Sequence, residues 1–200
     1  MARVRDIEAS ELDDASRAIY ERYAHEYGPF LNQVRVFAHR PPALRHIMGL
    51  LLDFADEAIL DKRYLEIALV TVSKLNSCRY CVAHHTPRAI SHGLPATALE
   101  QILLPEVDSF DTIDYLVRDY AVAVTNNWNQ VSDSVFESLR EHFSEEQLVE
   151  LTLRIALCGF FNRFNDVLQI DMEAGALEDL LASGVPVSYT HLTLPTIYSV

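Results

Sequence analysis

Residues 66–85 read EIALVTVSKLNSCRYCVAHH, and their order decides what fold the chain can adopt. From Asp61 to about Asn76 the apolar residues Leu65, Ile67, Ala68, Leu69, Val70, Val72 and Leu75 wrap much of a helical circumference. That pattern predicts a helix buried on most sides. Asn76 and Ser77 interrupt the run and can cap a second helix opening near Cys78. At about 100° per residue, Cys78, Cys81 and His85 then share one narrow stripe. Glu66 stands twelve residues before Cys78, on the preceding helix. A thiolate attacks where a thiol does not, and a helix N-terminus or a neighbouring imidazole promotes that form, so the stretch carries the parts of redox chemistry.

Working outward, every other readable segment is also helical. SELDDASRAIYERYAHEYG predicts a helix capped by Ser10 and ending near Gly28, and PFLNQVRVFAHRPP, with Pro29, Pro41 and Pro42, predicts a connector. PALRHIMGLLLDFADEA follows as a helix with apolar residues on more than one face. The helix from Cys78 is expected to run toward Gly93, with a kink or a second start after His85 because of Pro87. Beyond the linker LPEVDS come FDTIDYLVRDYAVAVTNN, VSDSVFESLREHF capped by Ser132 or Asp133, and SEEQLVELTLRIAL opened by Ser144 and continued by CGFFNRFNDVLQI. No alternating strand pattern competes, so the expected class is all-α.

The 200 residues, half of them hydrophobic, suffice for one packed domain, expected over 1–186. No leader or long apolar run is evident, and a net charge of −13 argues against nucleic acid or an anionic membrane as main partner, so a cytoplasmic protein is expected. Cys158, in the run IALCGFF, reads as a packed small side chain, and Trp128, Tyr115 and Tyr120 as packing aromatics. Residues 187–200, VSYTHLTLPTIYSV, hold no Asp, Glu, Lys or Arg and read as a non-native tail similar to translated adapter DNA.

An internal comparison sharpens the reading. At an offset of 84, EIALVTVSKLNSCRYC faces ELTLRIALCGFFNRFN, so that Glu66 matches Glu150 and CRYC matches NRFN. This predicts an internal helical repeat. In the second copy Arg154 follows Glu150 by four residues and can neutralise it, whereas Val70 holds the matching place after Glu66. Glu66 is therefore expected to be buried without a local partner and to hold its proton, as a proton shuttle would. His84, turned about 100° from His85, is expected at a surface or interface.

The pattern E-x11-C-x2-C-x3-H in an all-helical chain resembles the alkylhydroperoxidase D branch of the carboxymuconolactone decarboxylase superfamily, with Glu66, Cys78, Cys81 and His85 on the four positions. The flanking HFSEEQLVELTL and NRFND segments extend the likeness over roughly residues 30–170. It implies an orthogonal helical bundle assembled as a trimer or hexamer, whose cysteine pair reduces hydroperoxides and is recycled by an external dithiol, lipoyl or thioredoxin-like. It implies no cofactor and no metal. Tyr80 stands where the best-known peroxidase has a histidine of its proton relay, so the relay here would run through Glu66, water and His85.

On this reading His85, polarised by Glu66, takes the proton from Cys81. Cys81 then attacks the peroxide oxygen and becomes a sulfenic acid, and Cys78 condenses with it to a disulfide. Cys78, at the helix N-terminus, is the other possible attacker and the expected exposed thiol. Other uses of the same residues are two buried small side chains, or zinc ligation by Cys78, Cys81 and His85 with Glu66 or His84. A non-catalytic disulfide adaptor and a lactone enzyme are the alternative functions. Phe160, Phe161 and Phe164 are candidates for an apolar substrate wall, if the two halves face each other.

Overall fold

The computed structural model describes residues 2–182 and 184, and among these every regular element is helical. The expectation for residues 187–200 lies outside them. In chain order the helices are α1 (Asp14–Glu26), α2 (Leu31–Phe37), α3 (Pro41–Ala43), α4 (Gly49–Glu57), α5 (Lys62–Leu75), α6 (Arg79–Ser91), α7 (Ala96–Gln101), α8 (Thr112–Asn126), α9 (Asp133–Arg140), α10 (Glu145–Leu168) and α11 (Ala174–Ala182). Leu44–Met48 forms a π-helical turn that joins α3 to α4.

Local chemistry sets most boundaries. Asp13, rather than Ser10, caps α1 by accepting from the Ser16 N–H at 2.9 Å. Asp61 caps α5, and Ser144 caps α10 in a reciprocal pair with Gln147. Residues 29–42 hold helices where a connector was expected. Pro29 sits in the 3₁₀ turn Gly28–Phe30 and Pro41 opens α3, places where a missing N–H costs nothing, so neither breaks α2. α6 runs from Arg79 to Ser91 as one helix with Pro87 inside and no second start.

α5 is the axis of the molecule. Nine consecutive residues, Leu65 to Ser73, are buried, so neighbours cover it on every side. One core gathers Ile67, Val70 and Val72 with Val117 and Tyr120 of α8, Leu139 of α9, and Leu151 and Ile155 of α10. A second core joins the N-terminal helices, through Tyr23, Phe30, Phe37 and Leu52, to Cys78, Cys81 and Phe161. The two cysteines therefore belong to the seam between the N-terminal helices and the α5–α6–α10 layer. The packing expected of Trp128 does not occur: it is 73 % exposed on a 3₁₀ turn after α8.

Candidate active site

The break between α5 and α6 is built by backbone. Ser77 adopts φ +56°, the Ser77 N–H donates to Lys74 O and the Cys78 N–H to Ser73 O, each at 3.0 Å. This left-handed closure satisfies the last carbonyls of α5 and turns the chain into α6. Cys78 thereby becomes the N-cap residue of α6, and Cys81 and His85 follow on its first two turns.

The two sulfurs lie 3.1 Å apart with Cys78 as donor to Cys81. Cys81 Sγ also receives the Asn165 side-chain N–H at 3.3 Å, and the Asn165 carbonyl accepts from Gln33 Nε2 at 2.9 Å. Cys81 and Asn165 are 84 residues apart, the offset of the internal repeat, so the second copy places an amide against the thiol that it matches. The hydrogen bond to Cys81, together with burial, pushes the Cys78 thiol far up, and Cys78 is a proton donor near neutral pH. Cys78 is not the exposed thiol expected: it is fully buried, while Cys81 lines a cavity with His85.

Glu66 is buried but not unpartnered. His85 Nδ1 lies 2.9 Å from one carboxylate oxygen, and Arg88 Nε donates to the other at 3.0 Å. Burial pushes the Glu66 carboxyl up, yet His85 and Arg88 together outweigh it and hold it below its ordinary range. Glu66 is thus a carboxylate, not the proton-holding acid expected. The carboxylate accepts from Nδ1, which leaves Nε2 as the basic nitrogen. Burial draws the His85 pKa down more than Glu66 raises it, so the ring is neutral near pH 7.

The second copy also departs from expectation. No ion pair joins Glu150 to Arg154; Glu150 Oε2 and Arg154 Nη1 are both buried without a hydrogen-bond partner. His84 is likewise not at the surface. Its Nε2 lies 2.7 Å from Glu173, its Nδ1 faces the Tyr80 carbonyl, and the Phe30 ring packs on it at 4.6 Å. The Tyr80 hydroxyl donates to Glu173 at 2.8 Å, so this departure from the peroxidase pattern serves to tie the segment before α11 onto α6.

The cavity shared by Cys81 and His85 has a volume of about 50 Å³ and is walled by Tyr23, Tyr27, Phe30 and Phe161. Phe160 and Phe164 face elsewhere, into an apolar surface pocket beside Phe37. Among the described residues no group of three or more His, Cys, Asp or Glu side chains is arranged to hold a metal ion, and no helix is long and apolar enough to cross a membrane. Residues that the sequence reading missed are Arg88, Asn165, Gln33 and Phe30. A signal existed for Asn165 alone, in the repeat alignment.

Residues 41–110 match the model of the carboxymuconolactone decarboxylase family, a range that includes Glu66, both cysteines and His85. The uncharacterized protein YdfG of Bacillus subtilis (strain 168) is 24% identical over 114 residues, covering 56% of this chain and 78% of that protein. Among solved structures, an alkylhydroperoxidase AhpD core, an uncharacterized peroxidase-related protein from Ralstonia eutropha JMP134, superposes with TM-score 0.73 at 24% identity, covering 92% of this chain and 97% of that one. The debrominase Bmp8 in complex with 2,3,4-tribromopyrrole superposes with TM-score 0.71 at 19% identity, covering 90% and 96%. At these identities the structural likeness is one of fold.

Proposed function

We propose that this chain, whose residues 41–110 match the carboxymuconolactone decarboxylase family model and whose fold is like that of an alkylhydroperoxidase core, is a thiol-dependent peroxidase. One observation carries the reading: Cys81 Sγ accepts hydrogen bonds from Cys78 and Asn165 and opens on the same small cavity as a neutral, carboxylate-anchored His85. His85 Nε2 takes the Cys81 proton. The thiolate attacks the terminal peroxide oxygen, the O–O bond breaks, and the alkoxide leaves as alcohol with a proton from His85, so that Cys81 becomes a sulfenic acid. Cys78 Sγ then attacks Cys81 Sγ and water leaves. An external dithiol, lipoyl or thioredoxin-like, returns two electrons in a reducing cytoplasm. The sulfurs need only close from 3.1 Å to a bond of about 2.05 Å.

Peroxide consumption with a dithiol donor tests this on single variants. Cys81→Ser abolishes turnover, and Cys78→Ser reacts once and accumulates sulfenic acid on Cys81. If both variants kept turnover, the thiol reading would fail; rapid disulfide exchange without peroxide turnover would make the protein an adaptor. A second reading has its own support, because the cavity walls are aromatic and a protein of the same fold binds a brominated pyrrole. Bromide release from 2,3,4-tribromopyrrole by wild-type protein but not by Cys81→Ser would favour reductive dehalogenation.

The proposal includes a homo-oligomer. α10 leaves Val149, Leu153, Phe160 and Val167 exposed along one side, an apolar stripe that a second copy would cover.

A further inference from the structure

The Cys81 cavity shares two of its wall residues, Tyr27 and Arg154, with a second and larger pocket of about 280 Å³. Arg154 is 7 % exposed, its guanidinium lies 5.8 Å from the Phe54 ring centroid, and its Nη1 has no hydrogen-bond partner. A buried guanidinium N–H without a partner carries a desolvation cost that an anion at the boundary of the two spaces would remove. The structure assigns to Arg154 the binding of a small carboxylate: we propose that the substrate carries a carboxylate that sits on Arg154 Nη1 while its electrophilic end reaches Cys81. This deepens the peroxidase reading and rests on it only in taking Cys81 as the reacting atom.

The charges around the larger pocket favour a single negative charge. Lys62, Arg88 and Arg154 face Glu26, Glu66 and Glu150 there. Glu66 is already held by His85 and Arg88. Glu150, four residues earlier on α10, leaves its own Oε2 without a partner and so does not occupy the guanidinium. A dianion such as phosphate would meet these three carboxyl groups, whereas a monoanionic carboxylate matches one free N–H.

Two readouts separate this proposal from the thiol chemistry. In the first, propionate at about 100 mM raises the thermal unfolding midpoint of the full chain by roughly 3 °C over the isosteric amide propionamide, and Arg154→Met removes the difference while Arg154→Lys keeps part of it. In the second, Cys81 is alkylated with iodoacetate and with iodoacetamide and the label is located by peptide mass spectrometry. The iodoacetate-to-iodoacetamide rate ratio falls about tenfold in Arg154→Met, with the iodoacetamide rate reporting that the cavity is intact. No propionate-specific shift in wild type, or an equal shift in Arg154→Met, overturns the site. An unchanged alkylation ratio overturns its reach to Cys81. Should neither reagent label Cys81, the thiol reading fails, and the propionate arm still decides Arg154.

Discussion

Glu66 is the buried acid on which the proposed proton transfer from Cys81 depends. Its carboxylate is buried and shared between His85 Nδ1 and Arg88 Nε, so it fixes the imidazole tautomer and sets its basicity. Because Glu66 raises the His85 pKa against the downward pull of burial, Glu66→Gln draws it lower still. The expected outcome is an acid limb of Cys81 alkylation that moves to lower pH and a plateau reduced by roughly tenfold, read as iodoacetamide rate against pH. A limb that does not move means that His85 is not the titrating base. Stability follows the same signs. Both groups have folded pKa values below their unfolded ones, so their contribution is complete above an unfolded histidine pKa of about 6.5 and declines as pH falls below it, first through His85 and then through Glu66. A denaturant midpoint that stayed flat between pH 7 and pH 4 would contradict this. The sequence showed Glu66 and His85 but not Arg88. Its place three residues after His85 acquires meaning only from the angle at which α6 meets α5, and that angle is a property of tertiary packing.

At the scale of elements, the α5–α6 junction holds the sulfurs in register. Ser77 occupies the left-handed region, which a β-branched side chain enters at a cost of about 1–2 kcal/mol. Ser77→Val is therefore expected to destabilise the fold by about that amount in urea and to slow Cys78–Cys81 disulfide formation, while Ser77→Gly leaves both close to wild type. Equal behaviour of the two variants would show that the turn does not set the sulfur geometry. The junction was legible because Asn76 and Ser77 end an apolar run. α2 was not, because prolines at both ends of its segment resemble breakers until one sees that each opens a helical turn. The pairing expected for Glu150 and Arg154 failed for a related reason. A four-residue spacing brings two side chains onto one face but does not say that they turn toward each other, and here both face the pocket beside Glu66.

For the whole molecule, the buried α5 and the exposed side of α10 have opposite consequences. α5 spends its apolar residues inward and holds the site. α10, 24 residues long, buries one face against α5 and α8 yet keeps Val149 60 %, Phe160 41 % and Val167 61 % exposed. Spacings of four and three residues from Val149 through Leu153, Ala156 and Phe160 form a seam of the kind that closes on its own symmetry mate, and the apolar pocket lined by Phe160 and Phe164 extends it. An acidic surface would keep such a molecule dispersed if the seam were not used; with net charge −13, self-association must draw on apolar area rather than on charge. We expect sedimentation of the wild-type chain to report a discrete oligomer that persists in high salt, since screening weakens only the repulsion between copies. Phe160→Glu places a charge in the seam and should yield a monomer with unchanged helical content, because Phe160 is not part of either buried core. A wild-type chain that sediments as a monomer at micromolar concentration, or a Phe160→Glu chain that remains assembled, would remove α10 as the contact between copies.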